Sequence, residues 1–113
     1  MRVLILCLQK EQDLKTAASL LLEIGLFSTA ILDGEGLENI GVPQEQLFSS
    51  FQNLFGQGSA YNRTLISPVR NLETVELFVH LCKKEGIDFS RPETGWIVSF
   101  PCDFFRGSES VVE

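Results

Sequence analysis

Metal and redox signatures are scarce in this sequence. It has one histidine, His80, and three cysteines, Cys7, Cys82 and Cys102. No C-x-x-C pair occurs and no histidine stands at ligand spacing from a cysteine, which leaves neither a zinc module nor a complete disulfide framework. All three cysteines are expected as small buried hydrophobes. A basic cluster is missing too: Lys and Arg number 9 against 15 Asp and Glu, for a formal net charge of −6. Phosphate binding along nucleic acid needs clustered cations, so the charge argues against a nucleic-acid partner, and none is expected. The apolar run at the start, Val3 to Leu8, is too short to span a bilayer and has no small-residue cleavage site after it. The expectation is a cytoplasmic protein with no membrane insertion. Tyr and Trp occur once each against nine Phe, which assigns most of the aromatic content to packing.

What is present is a repeated unit. "RVLILCL", 2–8, is a branched, apolar run of strand length. Residues 11–26 then set Leu14, Ala17, Ala18, Leu21 and Leu22 on the stripe of an amphipathic helix, with Gly25 placed to end it, and "FSTAILD", 27–33, follows as a strand. The pattern recurs at one constant offset. Arg63 lies over Arg2, Val75 over Leu14, Phe78 and Val79 over Ala17 and Ala18, Cys82 over Leu21, and Gly86 over Gly25. "GWIVSFP", 95–101, closes the second unit as its last strand. Two β-α-β units in tandem predict an α+β, ferredoxin-like βαββαβ sandwich: a four-stranded antiparallel sheet with both helices on one face. The strands are apolar on both sides, so the second face is expected to be buried against other subunits.

Residues 1–107 are expected to form one domain, with 108–113 as a flexible C-terminal tail. Inside the domain, 38–61 is far longer than a hairpin connection needs. Its segment "PQEQLFSSFQNLF", 43–55, places Leu47, Phe48, Phe51, Leu54 and Phe55 on one side of a short helix. Two readings stand open: a cap folded onto the sheet or a neighbouring subunit, and a movable recognition element.

Candidate chemistry is thin. His80 falls off the inward stripe of the second helix, and no acid or nucleophile stands at a spacing that would serve it. Asp33, Glu35 and Glu38 are three carboxylates close in sequence, without the glycine-punctuated ladder of a calcium loop. They read as solvated turn residues. Gly34 and Gly36 mark a sharp turn or a close backbone approach, lacking the longer run of a phosphate loop. The expectation is a protein that is not an enzyme.

"TAILDGEGL", 29–37, "YNRTLISPV", 61–69, and "TGWIVSFPCD", 94–103, together resemble the PII (nitrogen regulatory protein P-II) superfamily of signal-transduction proteins, as a divergent member. The resemblance implies a homotrimer whose sheets line a central barrel, with a small effector, an adenine nucleotide as the candidate, held in clefts between subunits. The ligand-binding positions it implies are Gly34, Gly36, Leu37 and Glu38 at the base of the long T-loop, Thr94 and Gly95 in the B-loop, and Arg106 after the last strand. The T-loop, 38–61, would contact a target transporter or enzyme, through Phe48, Phe51, Leu54, Phe55 and Tyr61 in this sequence. No certain cofactor follows, and no metal ligand. Two other readings fit a ferredoxin-like unit: a trimer of the divalent-cation-tolerance (CutA-like) kind, which needs metal ligands in its cleft, and a small enzyme, which needs a polar constellation on the sheet face.

Overall fold

The computed structural model describes residues 1–33 and 62–107 of the chain. In order these form β1 (Arg2–Leu8), α1 (Glu11–Glu23), β2 (Ala30–Asp33), β3 (Arg63–Val69), α2 (Leu72–Lys84) and β4 (Gly95–Pro101). The segment 38–61, with the short helix expected in it, and the tail 108–113 lie outside the described residues. The strands make one antiparallel sheet in the order β2-β3-β1-β4, so the class is α+β with a four-stranded sheet and two helices.

The register sorts every strand residue onto a face, because side chains alternate along a strand. Leu4, Leu6 and Leu8 of β1 lie opposite Ser67, Leu65 and Arg63 of β3 and opposite Ser99, Ile97 and Gly95 of β4. The three leucines join Leu65, Val69 and the inner sides of both helices in one core, with Phe78 of α2 fully buried at its centre. Each fully buried Leu or Phe contributes about 1.5–3 kcal/mol relative to exposure, so this layer holds the helices on the sheet. The other face carries Val3, Ile5 and Cys7, flanked by Pro68, Ile66 and Thr64 on one side and Phe100, Val98 and Trp96 on the other. No described helix covers it. Among its apolar residues Leu32, Trp96, Val98 and Phe100 are 43–49% exposed.

The two helices end alike. Gly25 and Gly86 both take positive φ, and the N–H of the residue after each glycine reaches back across the last turn, Leu26 to the Leu21 carbonyl and Ile87 to that of Cys82. That is a Schellman motif written twice, the structural form of the repeat seen in the sequence. Their starts differ. Asn71 caps α2 by accepting the N–H of Thr74 at 2.9 Å, whereas α1 begins at Lys10 with no side-chain cap and relies on Glu11 and Asp13 in its first turn.

Four details depart from expectation. β2 begins at Ala30 rather than at Phe27, because Leu26 to Thr29 is spent on the helix cap and a turn in which the Thr29 hydroxyl donates to the Leu26 carbonyl at 2.8 Å. Leu20, not Leu22, completes the inward stripe of α1; Leu22 is 57% exposed. Val79 is half-buried beside the buried Val75, Phe78 and Cys82. Cys102 is half-buried as well, lying just past β4 where the sheet ends, while Cys7 and Cys82 are buried. No helix among the described residues is long and apolar enough to cross a membrane.

Candidate functional site

Antiparallel pairing gathers four chain segments at one end of the sheet. There β1 and β2 finish while β3 and β4 begin, so Asp33, Asn62, Thr94 and Gly95, remote in sequence, meet around Cys7 to Gln9. Each is fixed by a specific contact. Asp33 and Arg63 face each other in the β2–β3 register and form an ion pair, which ties together the two ends of the chain that bound residues 34–61. Asn62 accepts a hydrogen bond from the Cys7 thiol at 2.9 Å. The Thr94 carbonyl accepts from the Gln9 N–H at 3.3 Å, and Thr94 itself is buried.

Gly95 has a backbone reason for its identity. Its φ is +126°, and a Cβ there would stand 1.9 Å from the Cys7 carbonyl oxygen. Only glycine lets β4 start so close to the central strand. The motif that the sequence suggests for ligand contact therefore also has a packing role.

The electrostatics here are quiet. Burial pushes the Cys7 thiol above its ordinary value, against the smaller opposing effect of its hydrogen bonds to Thr64 and Asn62. Cys7 is therefore a neutral thiol at pH 7, unsuited to nucleophilic work. The Asp33 side chain is 81% exposed and that of Arg63 35%, so their pair is a weak, screened one that positions more than it stabilises.

Of the sequence-predicted ligand positions, Thr94 and Gly95 lie at this end of the sheet. Arg106 follows β4 from the opposite end, where the Cys102 N–H bonds to the Met1 carbonyl, and its guanidinium sits 5.4 Å from the centre of the Phe104 ring. Gly34, Gly36, Leu37, Glu38, Phe48, Phe51, Leu54, Phe55 and Tyr61 lie outside the described residues. Of the three clustered carboxylates, Asp33 alone is described; Glu35 and Glu38 are outside. Among the described residues no three His, Cys, Asp or Glu side chains come together as a metal site.

Sequence reasoning missed Arg63 and Asn62 as neighbours of this end. The signal was available in principle, since laying the two halves over one another places Arg63 at a strand start, but the β2–β3 register that sets it against Asp33 was not in reach. Away from this end, a hollow of about 150 Å³ lies between α1 and β2 and is lined by Ala18, Leu22, Leu26, Phe27, Ile31 and Leu65. It is almost wholly apolar, and its one hydroxyl, on Thr29, is engaged by the Leu26 carbonyl. It offers packing rather than chemistry. No protein-family model matches the sequence, and no curated protein matches it.

Proposed function

We propose that the chain is a non-enzymatic regulatory protein of the PII-like kind, ferredoxin-like in topology, working in the cytoplasm. In this reading three copies assemble through their open sheet faces. A small effector, with an adenine nucleotide as the candidate, binds at the sheet end that carries Thr94 and Gly95, and residues 38–61 carry the response to a partner protein. The observation that supports it is the convergence at that end. Thr94 and Gly95 share it with the Asp33–Arg63 pair that bounds the long connection, so a ligand bound there would touch the base of that connection. A ligand that prefers one conformation of the connection shifts its population by that preference and by no more. The exposed row of Trp96, Val98 and Phe100 supports assembly, because a monomer would leave it in water.

Two measurements test the reading. Light scattering gives the mass, and a single-copy mass removes the assembly. Thermal shift with ATP, ADP, AMP, a cyclic nucleotide and bicarbonate gives the effector: a ligand at 100 times its dissociation constant adds about 2.7 kcal/mol of stability. A flat response to every adenine nucleotide removes that effector class.

A further inference from the structure

The outer edge of β4 has no described strand against it and lies apart from the open sheet face. β4 pairs with β1 on one side only and has no described strand on the other. Natural edge strands are short, bulged or charged, which prevents their unpaired N–H and C=O groups from recruiting another strand. β4 is seven residues, "GWIVSFP", with no charge anywhere in it. Within the strand itself, its protection is confined to Pro101, at the very end.

The direction of its backbone groups follows from the bonds at its two ends. The Thr94 carbonyl and the Cys102 N–H both point inward to β1, at Gln9 and Met1. Alternate residues of an antiparallel strand point the same way, so Trp96, Val98 and Phe100 bond toward β1 while Ile97 and Ser99 present both N–H and C=O outward. That outward pair is symmetric about Val98. So is the side-chain row: Trp96 and Phe100 flank Val98 on the open face, each 43–45% exposed with Val98 between them.

We infer that two copies of the chain pair β4 to β4, antiparallel, about a two-fold axis at Val98. Ile97 of one copy then faces Ser99 of the other, on both sides of the axis, each pair exchanging both backbone hydrogen bonds. Trp96 of one copy stands opposite Phe100 of the other, and Val98 opposite Val98. The missing N–H of Pro101 falls at the outermost position, where the ladder ends. A two-fold interface requires a patch complementary to itself, and this strand supplies that in both its backbone and its side chains. The backbone part of the inference does not depend on what covers the open face.

The test is a cross-link. In the proposed pairing Val98 and its twin form a non-hydrogen-bonded pair with Cα atoms about 4.5 Å apart, inside the range a disulfide spans. Val98→Cys, in a Cys102→Ser background, is treated with oxidised glutathione, which takes up the two electrons as the two introduced thiols join. The expected result is a covalent dimer on a non-reducing gel. Ser99→Pro removes an outward N–H and leaves the backbone ladder to β1 intact, but it also removes the hydroxyl that accepts from Arg2 Nε at 2.9 Å, which Ser99→Ala removes alone. With an unchanged circular dichroism spectrum Ser99→Pro should abolish the cross-link and lower the native mass, and Ser99→Ala should do neither. Ile66→Glu, on the open face away from the β4 edge, should weaken assembly through the face and leave the cross-link in place. The inference is overturned if the introduced thiol stays uncrosslinked and reacts with maleimide as fast as an exposed cysteine, or if Ser99→Pro cross-links as before. Loss of mass in Ile66→Glu alone would count for the face and against the edge.

Discussion

Replacing Gly95 with alanine should cost stability with no ligand present, and the size of the loss can be worked from the backbone. The new Cβ would stand 1.9 Å from the Cys7 oxygen, 2.9 Å from its carbonyl carbon and 3.3 Å from the Leu8 Cα. All three are backbone atoms of β1, which is held by ladders on both sides and has little room to yield. The start of β4 must move instead, giving up the bond between the Gln9 N–H and the Thr94 carbonyl. A non-glycine residue at φ +126° adds about 1–3 kcal/mol of backbone strain. Steric overpacking adds about 1–3 kcal/mol more. With a total stability of about 5–15 kcal/mol, a loss near 3 kcal/mol is a large fraction. For a urea slope of about 1.3 kcal/mol/M it moves the midpoint down by roughly 2 M. Trp96, the neighbouring residue and the chain's one tryptophan, reports the transition by fluorescence. Gly86→Ala is the control: its φ is +94° but nothing lies within 4 Å of the new methyl. It should lose about 1–2 kcal/mol, the cost of the left-handed backbone alone. Equal midpoints for Gly95→Ala and the parent, or equal losses in the two variants, would refute the steric account.

Three further outcomes are expected. Phe78→Ala removes the largest fully buried side chain among the described residues and should destabilise the fold by about 3–5 kcal/mol in urea melts; a loss below about 1 kcal/mol would mean that the helices are not packed as described. Asp33→Asn should change stability by less than about 1 kcal/mol, with the difference shrinking as salt is raised, since the pair is largely solvent-facing. Cys82, pushed up to about 12 chiefly by burial and secondarily by Asp13, stays protonated when folded above pH 9 while the unfolded thiol ionises. Its contribution is complete below about pH 9 and is lost as pH rises toward 12, at no more than about 1.4 kcal/mol per pH unit. Urea melts at pH 7 and pH 10 should show that slope, and Cys82→Ala should reduce it, leaving the contribution of Cys7, which is raised in the same direction.

The elements were legible because local rules decide them. The strand 2–8 and the strand 95–101 emerge at the boundaries expected from their apolar runs, and the glycines at 25 and 86 end their helices where the repeat places them. Periodicity was less reliable at the margins. Leu20 and Leu22 both border the apolar stripe of α1; Leu20 lies toward α2 beside Leu81 and Leu22 beside β2, so which of them is buried depends on the neighbouring elements, a tertiary fact. The start of β2 departs from its expected position for a related reason. "FST" has strand-like composition, but the helix cap and the Thr29 hydroxyl claim that stretch before it can pair.

The candidate site shows a sharper limit. Thr94 and Gly95 were singled out by resemblance, yet why they belong beside the base of the long connection is a matter of register. Only when β3 lies between β1 and β2, and β4 lies outside β1, do residues 33, 62 and 94 fall at one end. Register also changes what Gly95 means. As part of a motif it reads as room for a ligand, whereas the contact with the Cys7 carbonyl requires glycine with no ligand at all. A ligand role for this turn must therefore be tested at Thr94. Thr94→Val keeps the shape and the backbone carbonyl and removes only the hydroxyl of a buried residue, so it should lower stability by no more than about 1.5 kcal/mol, the net worth of a single hydrogen bond. If the proposed effector contacts the threonine hydroxyl, the same variant weakens the thermal shift that nucleotide produces. A variant that loses stability but keeps the full ligand response would move the effector contact away from Thr94 and leave the turn a structural feature.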